Sequence, residues 1–359
     1  MAPSQTSQRP IGVAIAGLGF GEAVHLPALQ NVPELEPVAL WHRRQDRLDE
    51  ACSNSGLKGY HCWDSLLEDS RVDAVIIATP PAPRFELAMR ALKAGKHLLL
   101  EKPVALNAQD VADLQREAIG RGLSVAVDFE YRAVPLFQQA ARLLEQGAVG
   151  TPWLVKLDWL MSSRANPQRA WNWYSQANQG GGVIGALGTH AFDTLAWLIG
   201  SVGEPQAMTR TAIAQRPDCE GNMRPVDADD IALINVDLGT HQGGTVAAQV
   251  ALSSVARNGR GCWIEIYGSE GSLVLGSENQ KDYVHGFSLT LQQGGDAPRN
   301  VQPDEDLRFA TTWSDGRVAP VARLQSWWAQ SIQKGHPMVP GLAEGLASQQ
   351  ACDRTLSSR

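Results

Sequence analysis

Cysteine is scarce in this chain of 359 residues, and what there is forms no pattern. The five residues, Cys52, Cys62, Cys219, Cys262 and Cys352, are scattered, odd in number and contain no CxxC pair. That excludes a disulfide framework and a zinc-ribbon site, and it points to reduced thiols in a cytoplasmic compartment. Long apolar runs are missing too: no stretch approaches the roughly 18 residues needed to cross a bilayer. Positive charge is not in excess, with 31 Lys and Arg against 38 Asp and Glu and a net charge of -7. Without a basic run or patch, nucleic acid is excluded as an expected partner. No internal repeat is present. The first ten residues, MAPSQTSQRP, lack the apolar centre of a signal sequence and read as a frayed tail over 1–10.

What is present suits a soluble globular protein long enough for two domains, with 43% hydrophobic and 19% charged residues. The first third alternates short apolar runs with helical segments. Strands are expected at Ile11–Gly17, Glu36–Trp41, Val72–Ala78, His97–Leu100 and Ser124–Asp128. Helices are expected at Gly19–Asn31, from Gln45 to Ser55, at Phe85–Ala94 with Gly95 as its stop, and from an Asn107 cap to Arg121. Strands separated by helices of 10–15 residues imply a doubly wound parallel sheet.

GLGFGE, residues 17–22, stands between the first strand and the first helix. There Gly17 permits a tight turn and Gly19 lets the backbone approach a pyrophosphate, with Phe20, Gly21 and the donors of a helix N-terminus expected beside them at the cofactor. The match to GxGxxG is imperfect, since Glu22 occupies the last glycine position and Gly21 comes one place early. At the end of the second strand, where an acidic residue would bond the ribose of NAD, the chain reads His42-Arg43-Arg44. Two arginines without a carboxylate suit a 2′-phosphate, so NADP is expected over NAD. A solvated helix start is the plainer alternative.

GLGFGEAVHLPAL, ATPPAPRFELAMRALKAGKHLLLEKP and GGGVIGALGTHAFD occur in this order in one chain. By these motifs the sequence resembles the Gfo/Idh/MocA oxidoreductases from about Ile11 to Leu356. The resemblance implies an α/β protein. Its N-terminal Rossmann domain has a doubly wound parallel sheet, and its C-terminal α/β domain has a large, mostly antiparallel open sheet that often builds homodimers or homotetramers. The boundary is expected near Tyr131–Pro135, giving a cofactor domain over 11–132 and a substrate and oligomerisation domain over 133–359. In the second, Trp153–Leu160, Asp230–Leu238, Gly244–Ser253, Cys262–Tyr267 and Ser272–Leu275 read as strands. Asn222–Asp229 and Gly239–Gly243 read as loops, and Val318–Lys334 and Gly341–Ser357 as closing helices.

The resemblance also implies roles. Glu101-Lys102-Pro103 matches the family's EKP, which sets Lys102 beside the nicotinamide and the reacting carbon, has Glu101 contact the cofactor, and often makes the Pro103 bond cis. Proline also holds Lys102 extended at a strand's C-terminal end, where ligands bind in open parallel sheets. Thr79-Pro80-Pro81 matches a turn beside the cofactor, with Arg84 where a histidine usually stands. GGGVIGALGTHAFD matches a substrate-side stretch in which His190 is the site histidine and Ala186 replaces an aspartate. Asp193, one helical turn on, is the candidate to supply the missing carboxylate, or else it braces its helix. Glu130 is expected to contact cofactor or substrate, or to form an interdomain ion pair. Trp171 and Trp173 line a sugar-sized pocket or fill core.

The implied activity is hydride transfer between a nicotinamide and a sugar, polyol or related hydroxy or carbonyl compound, with Lys102 as acid–base and His190 assisting. A cofactor-binding sensor without turnover is the alternative, favoured by Ala186 and opposed by the retention of Lys102 and His190. His190 and Asp193 do not make a metal site, because no third ligand is evident.

Overall fold

The computed structural model describes residues 9–279, 281, 282 and 284–358. Residues 1–8 of the expected tail lie outside the described residues, and Arg9 and Pro10 are exposed. The first half runs β1 (Ile11–Ala16), a π-helical turn (Gly21–His25), α1 (Leu26–Leu29), β2 (Leu35–Trp41), α2 (Gln45–Ser55), β3 (Lys58–Tyr60) and α3 (Trp63–Leu67). It continues through β4 (Ala74–Ile77), α4 (Pro81–Lys93), β5 (His97–Leu100), α5 (Ala108–Arg121) and β6 (Val125–Val127). All six strands are parallel, in the order β3-β2-β1-β4-β5-β6. The order reverses between β1 and β4, and a crevice opens there at the strands' C-terminal ends.

Apart from His97 at the start of β5, the central strands β1, β4 and β5 are apolar, and beyond the half-buried first residues of β1 and β5 they are buried on both faces, as a parallel sheet between helices requires. β3 and α3 were not expected. A polar three-residue edge strand with two exposed residues leaves no apolar run to read. The first helix departs from the expected Gly19–Asn31 by opening with a π turn. Asn107 caps α5 as expected, its side chain accepting from the Asp110 amide at 2.9 Å.

The second half adds α6 (Pro135–Glu145), β7 (Pro152–Leu160), a π-helical turn (Ile184–Gly188), α7 (Thr189–Leu198), β8 (Gln206–Arg210), β9 (Gln215–Pro217) and β10 (Met223–Pro225). Then come β11 (Ile231–Gly239), β12 (Thr245–Ser253), β13 (Gly261–Gly268), β14 (Gly271–Ser277), β15 (Ser288–Gln293), β16 (Arg299–Val301), α8 (Val318–Lys334) and α9 (Leu342–Ser357). Eight strands form one sheet in the order β16-β15-β14-β13-β7-β12-β11-β8, antiparallel except where β7 meets β12. β11 alternates buried and exposed residues along its length. Its inner face packs with residues of α6 and α7 in one core, while the outer face shows Leu154, Met208, Leu233 and Tyr267 to solvent. β8, β15 and β16 were not expected, and β10 lies inside the segment read as a loop over Asn222–Asp229, a pairing that only its partner β9 reveals.

The last two helices return to the first sheet. Trp328 of α8 is fully buried in one core with Val13, Ile15 and Leu29. Leu342 of α9 joins the core on the other side of that sheet with Leu98 and Val111.

Candidate functional site

The glycine turn after β1 shows why its residues are small. Gly17 has φ +98°, and a Cβ there would lie 2.6 Å from the Ala78 carbonyl carbon and oxygen. At Gly19 a Cβ would meet nothing within 4 Å and would project into open space. Gly21 does not line that space. A Cβ on it would lie 2.7 Å from Ile15 Cγ2, so the missing side chain lets the helix sit on β1.

A cavity of about 970 Å³ begins at this turn. It passes the ends of β2, β4 and β5 and reaches Trp159, Met161 and the π turn before α7. Gly17, Gly19, Phe20, His42, Arg43, Arg44, Thr79, Pro80, Glu101, Lys102, Glu130 and His190 all line it, so residues far apart in the chain meet in one cleft. The volume is large enough for a dinucleotide, with the unhindered Gly19 and Lys102 both on its walls. At the far end of the glycine turn, Arg44 is held by Asp46, with Nε 3.1 Å from Oδ1. The expectation of two arginines without a carboxylate is therefore corrected: Arg43 is the exposed cation not so engaged.

Lys102 follows β5 through a cis bond to Pro103. Its ammonium donates to the Ala186 carbonyl at 3.2 Å, which joins the first sheet's edge to the π turn of the second half. Behind it, Arg84 is fully buried and donates to the carbonyl of Glu101 at 2.6 Å and to those of Pro103 and Thr79. One guanidinium thus ties together the two strand-end turns of the cleft. Burial lowers the Arg84 pKa to about 10.

Glu101 faces away from solvent. His25 Nε2 is 3.0 Å from Glu101 Oε1 and 3.6 Å from Asp128 Oδ2, and the Gln325 amide reaches His25 Nδ1 at 3.3 Å. Burial alone would raise the Glu101 carboxyl, but the His25 hydrogen bond and the Lys102 ammonium hold it down at about 2. Asp128 is the opposite case. Burial, then the Glu101 and Glu130 charges, push its carboxyl well above the usual range.

The GGG entry has a steric cause as well. Gly182 has φ +94°, and a Cβ there would lie 2.6 Å from Asp229 Oδ1. Asp229 in turn accepts from the Ile184 amide at 2.9 Å, at the start of the π turn. His190 then projects from the first turn of α7 into the cavity, packed edge-on by Tyr131 and Phe129 at ring distances of 5.0 and 6.0 Å. Its Nε2 lies 3.6 Å from Glu130 Oε2. Burial and then Lys102 lower the His190 pKa well below its usual value, which keeps the ring neutral. Burial pushes the Glu130 carboxyl up to about 7, against the pull of Lys102.

Two expected residues are elsewhere. Asp193 does not line the cavity. Its carboxylate is held on both oxygens by Arg132, at 2.8 and 2.7 Å, so it braces α7 instead of facing substrate. Trp171 also lies outside the cavity, its indole donating to the Pro225 carbonyl at 2.9 Å, while Trp173 is part of the lining. Sequence reasoning missed Tyr131, Trp159, Met161, Asn172, Gln176 and Arg317 on the walls. They come from β7, a 3₁₀ segment and the approach to α8, and carry no motif; only the aromatic cluster WNWY gave a signal.

Comparison with known proteins agrees with this geometry. The model for the oxidoreductase family's NAD-binding Rossmann fold matches residues 11–129, and that for its C-terminal alpha/beta domain matches residues 141–359. An uncharacterized oxidoreductase of Synechocystis is 44% identical over 353 residues, covering 98% of this chain and 94% of that protein. Levoglucosan dehydrogenase of Pseudarthrobacter phenanthrenivorans is 29% identical over 63% of this chain and 61% of its own length. The solved structure of a levoglucosan dehydrogenase in complex with NADH and L-sorbose superposes with a TM-score of 0.86 at 23% identity, covering 97% of this chain and 96% of that one. A 3-ketoreductase from Actinomadura kijaniata, in complex with NADP and TDP-benzene, superposes at 0.76 with 23% identity over 97% and 98%. The chain belongs to the Gfo/Idh/MocA oxidoreductase family, with an NAD-binding Rossmann fold joined to the family's C-terminal alpha/beta domain.

Proposed function

We propose that this protein is an NADP-preferring dehydrogenase or reductase of a sugar, polyol or related hydroxy or carbonyl compound. The observation that carries the reading is the meeting of Lys102 and His190 in one cavity that starts at the unhindered Gly19. The nicotinamide supplies the hydride chemistry. Gly17, Gly19 and Phe20 hold the pyrophosphate end, Arg43 faces the adenosine end, where a 2′-phosphate would sit, and Thr79, Pro80 and Glu101 flank the ring end. Lys102 exchanges a proton with the oxygen of the reacting carbon, oriented by its bond to the Ala186 carbonyl. His190, neutral, bonds that oxygen or its neighbour. We assign residues 11–132 to the cofactor and 133–359 to substrate and assembly. The exposed apolar residues on the open sheet, where Leu233 pairs with Met208 and Tyr267 with Leu154, support a homodimer or homotetramer. The five cysteines are free, in keeping with a reducing, cytoplasmic setting, and no helix among the described residues is long and apolar enough to cross a membrane.

The names of the relatives narrow the panel to levoglucosan, scyllo-inositol and L-sorbose. Turnover is followed by nicotinamide absorbance with NADP and NAD. The wild type turns over at least one of them, and Lys102→Ala loses about 10²–10⁴-fold in kcat while cofactor affinity survives. Undiminished turnover in Lys102→Ala removes Lys102 from the chemistry. Cofactor binding without turnover across a broad polyol panel favours the sensor.

A further inference from the structure

Asp193 is committed to Arg132 on both oxygens and does not line the cleft, and Glu101 shares its Oε1 with His25. Glu130 is differently placed. It leaves the first sheet just after β6, is 5% exposed, lines the cavity, and points Oε2 at His190 Nε2 across 3.6 Å. Tyr131, Phe129 and Trp159 enclose the His190 ring, so its orientation is fixed by packing. Glu130 is the polar partner of its Nε2 among the described residues. A gap of 3.6 Å is long for a hydrogen bond and short for two unrelated groups, and such contacts commonly tighten when a ligand enters.

We propose that Glu130 and His190 form a proton-sharing pair on the substrate side of the cavity, and that this pair is the grip on the hydroxyl beside the reacting carbon. The inference rests on the oxidoreductase reading. It makes the substrate a compound with an oxygen on the carbon next to the one that reacts, because two polar groups this close, beside Lys102, present two neighbouring bonding positions. With the carboxyl protonated, its O–H donates to Nε2. Once the proton leaves to solvent, Nε2 carries the hydrogen of the neutral ring and the carboxylate accepts from the substrate hydroxyl. A charge-assisted bond is the stronger one, so the ionised form grips better. The groups facing Glu130 are Lys102 and Glu101 from the end of β5, Asp128 beside it, Arg317 ahead of α8 and His190 on α7. Lys102 and Arg317 favour ionisation, whereas burial and Glu101 oppose it, which brings the carboxyl into the neutral range.

The test has two readouts. In the full-length protein without cofactor, long-range proton–nitrogen NMR follows the eight histidine rings with pH, His190 being identified by its loss in His190→Gln. The expected result is a step in the His190 ring nitrogens between about pH 6 and about pH 8, with the ring neutral throughout, abolished in Glu130→Gln. A step that persists in Glu130→Gln, or is absent from the wild type, overturns the pair. For the second readout, whichever of levoglucosan, scyllo-inositol and L-sorbose is turned over serves as probe. Wild-type KM should fall about tenfold as pH rises through the same step, and Glu130→Gln should hold KM flat at its low-pH value. A KM that still falls in Glu130→Gln refutes the grip. If no compound of a broad sugar and polyol panel is turned over, the oxidoreductase reading fails and the NMR step alone decides the pair.

Discussion

Replacing Glu130 by glutamine should make the protein more stable, and more so as pH rises. The unfolded carboxyl titrates near 4.5, whereas burial raises the folded one to about 7. A group raised on folding holds its proton more tightly in the native state. It therefore costs nothing below the unfolded value, where both states are protonated, and progressively more as pH climbs from 4.5 towards 7. At about 1.4 kcal/mol per unit, the full displacement is worth about 3 kcal/mol above pH 8 and under about 1 kcal/mol near pH 5. Glutamine keeps the shape and the neutral state at every pH, so it removes this cost. Thermal melts of wild type and Glu130→Gln at about pH 5 and about pH 8 read the difference directly. The expected gap in midpoint is a few degrees at the higher pH and close to zero at the lower. A gap that is equal at both pH values, or a wild type that gains on the variant with rising pH, refutes the claim that the native site holds this carboxyl above its unfolded value.

Other perturbations separate the parts of the site. Breaking the buried Arg132–Asp193 pair with Asp193→Leu should cost about 3–5 kcal/mol in urea unfolding by stranding the guanidinium, and Arg132→Met in the same chain should recover much of it; an additive double variant would show that the two do not act as a pair. Gly17→Ala should destabilise the fold, because it strains a φ of +98° and strikes the Ala78 carbonyl, whereas Gly19→Ala should fold normally and weaken NADPH binding measured by fluorescence. Arg43→Glu should shift the NADPH-to-NADH affinity ratio about tenfold or more towards NADH, and an unmoved ratio would detach Arg43 from the 2′-phosphate.

The parallel sheet was legible because β1, β4 and β5 are short unbroken apolar runs stopped by Gly, Thr-Pro and Glu-Lys-Pro. The edge strands β3, β8 and β16 were not, since they are short and partly exposed and exist only through their neighbours. The same divide runs through the site. The conformations of Gly17 and Gly19 follow from local backbone chemistry, whereas Lys102 was singled out by the resemblance of Glu101-Lys102-Pro103 to the family's motif. Asp193 was left open between substrate and helix brace because helical spacing says only that it lies near His190 on α7. It cannot say that Arg132, sixty-one positions earlier, arrives from the other half to claim both its oxygens. Gly21 shows the reverse: a glycine inside a fingerprint reads as a ligand contact, and spacing could not show that its missing Cβ also accommodates Ile15.

Charge explains why so many acids can share one small volume. Glu101, Asp128 and Glu130 all lie buried near Lys102, and burial opposes the ionisation of each of the three. The fold resolves the conflict by separating their affinities for protons. Glu101 receives the His25 hydrogen bond and stays ionised, whereas burial, and then the Glu101 charge, raises the Asp128 carboxyl well above its usual range. Glu130 lacks the His25 hydrogen bond and faces the cavity beside His190, and burial lifts it to about 7 against the pull of Lys102. Groups whose environments drive their pKa values apart are those that can divide acid and base roles at one pH. On this logic the polar centre does not stop at Lys102 and His190. The His25–Glu101–Asp128 cluster fixes the charge behind Lys102, and that fixed charge is part of what leaves Glu130 free to change state near neutrality.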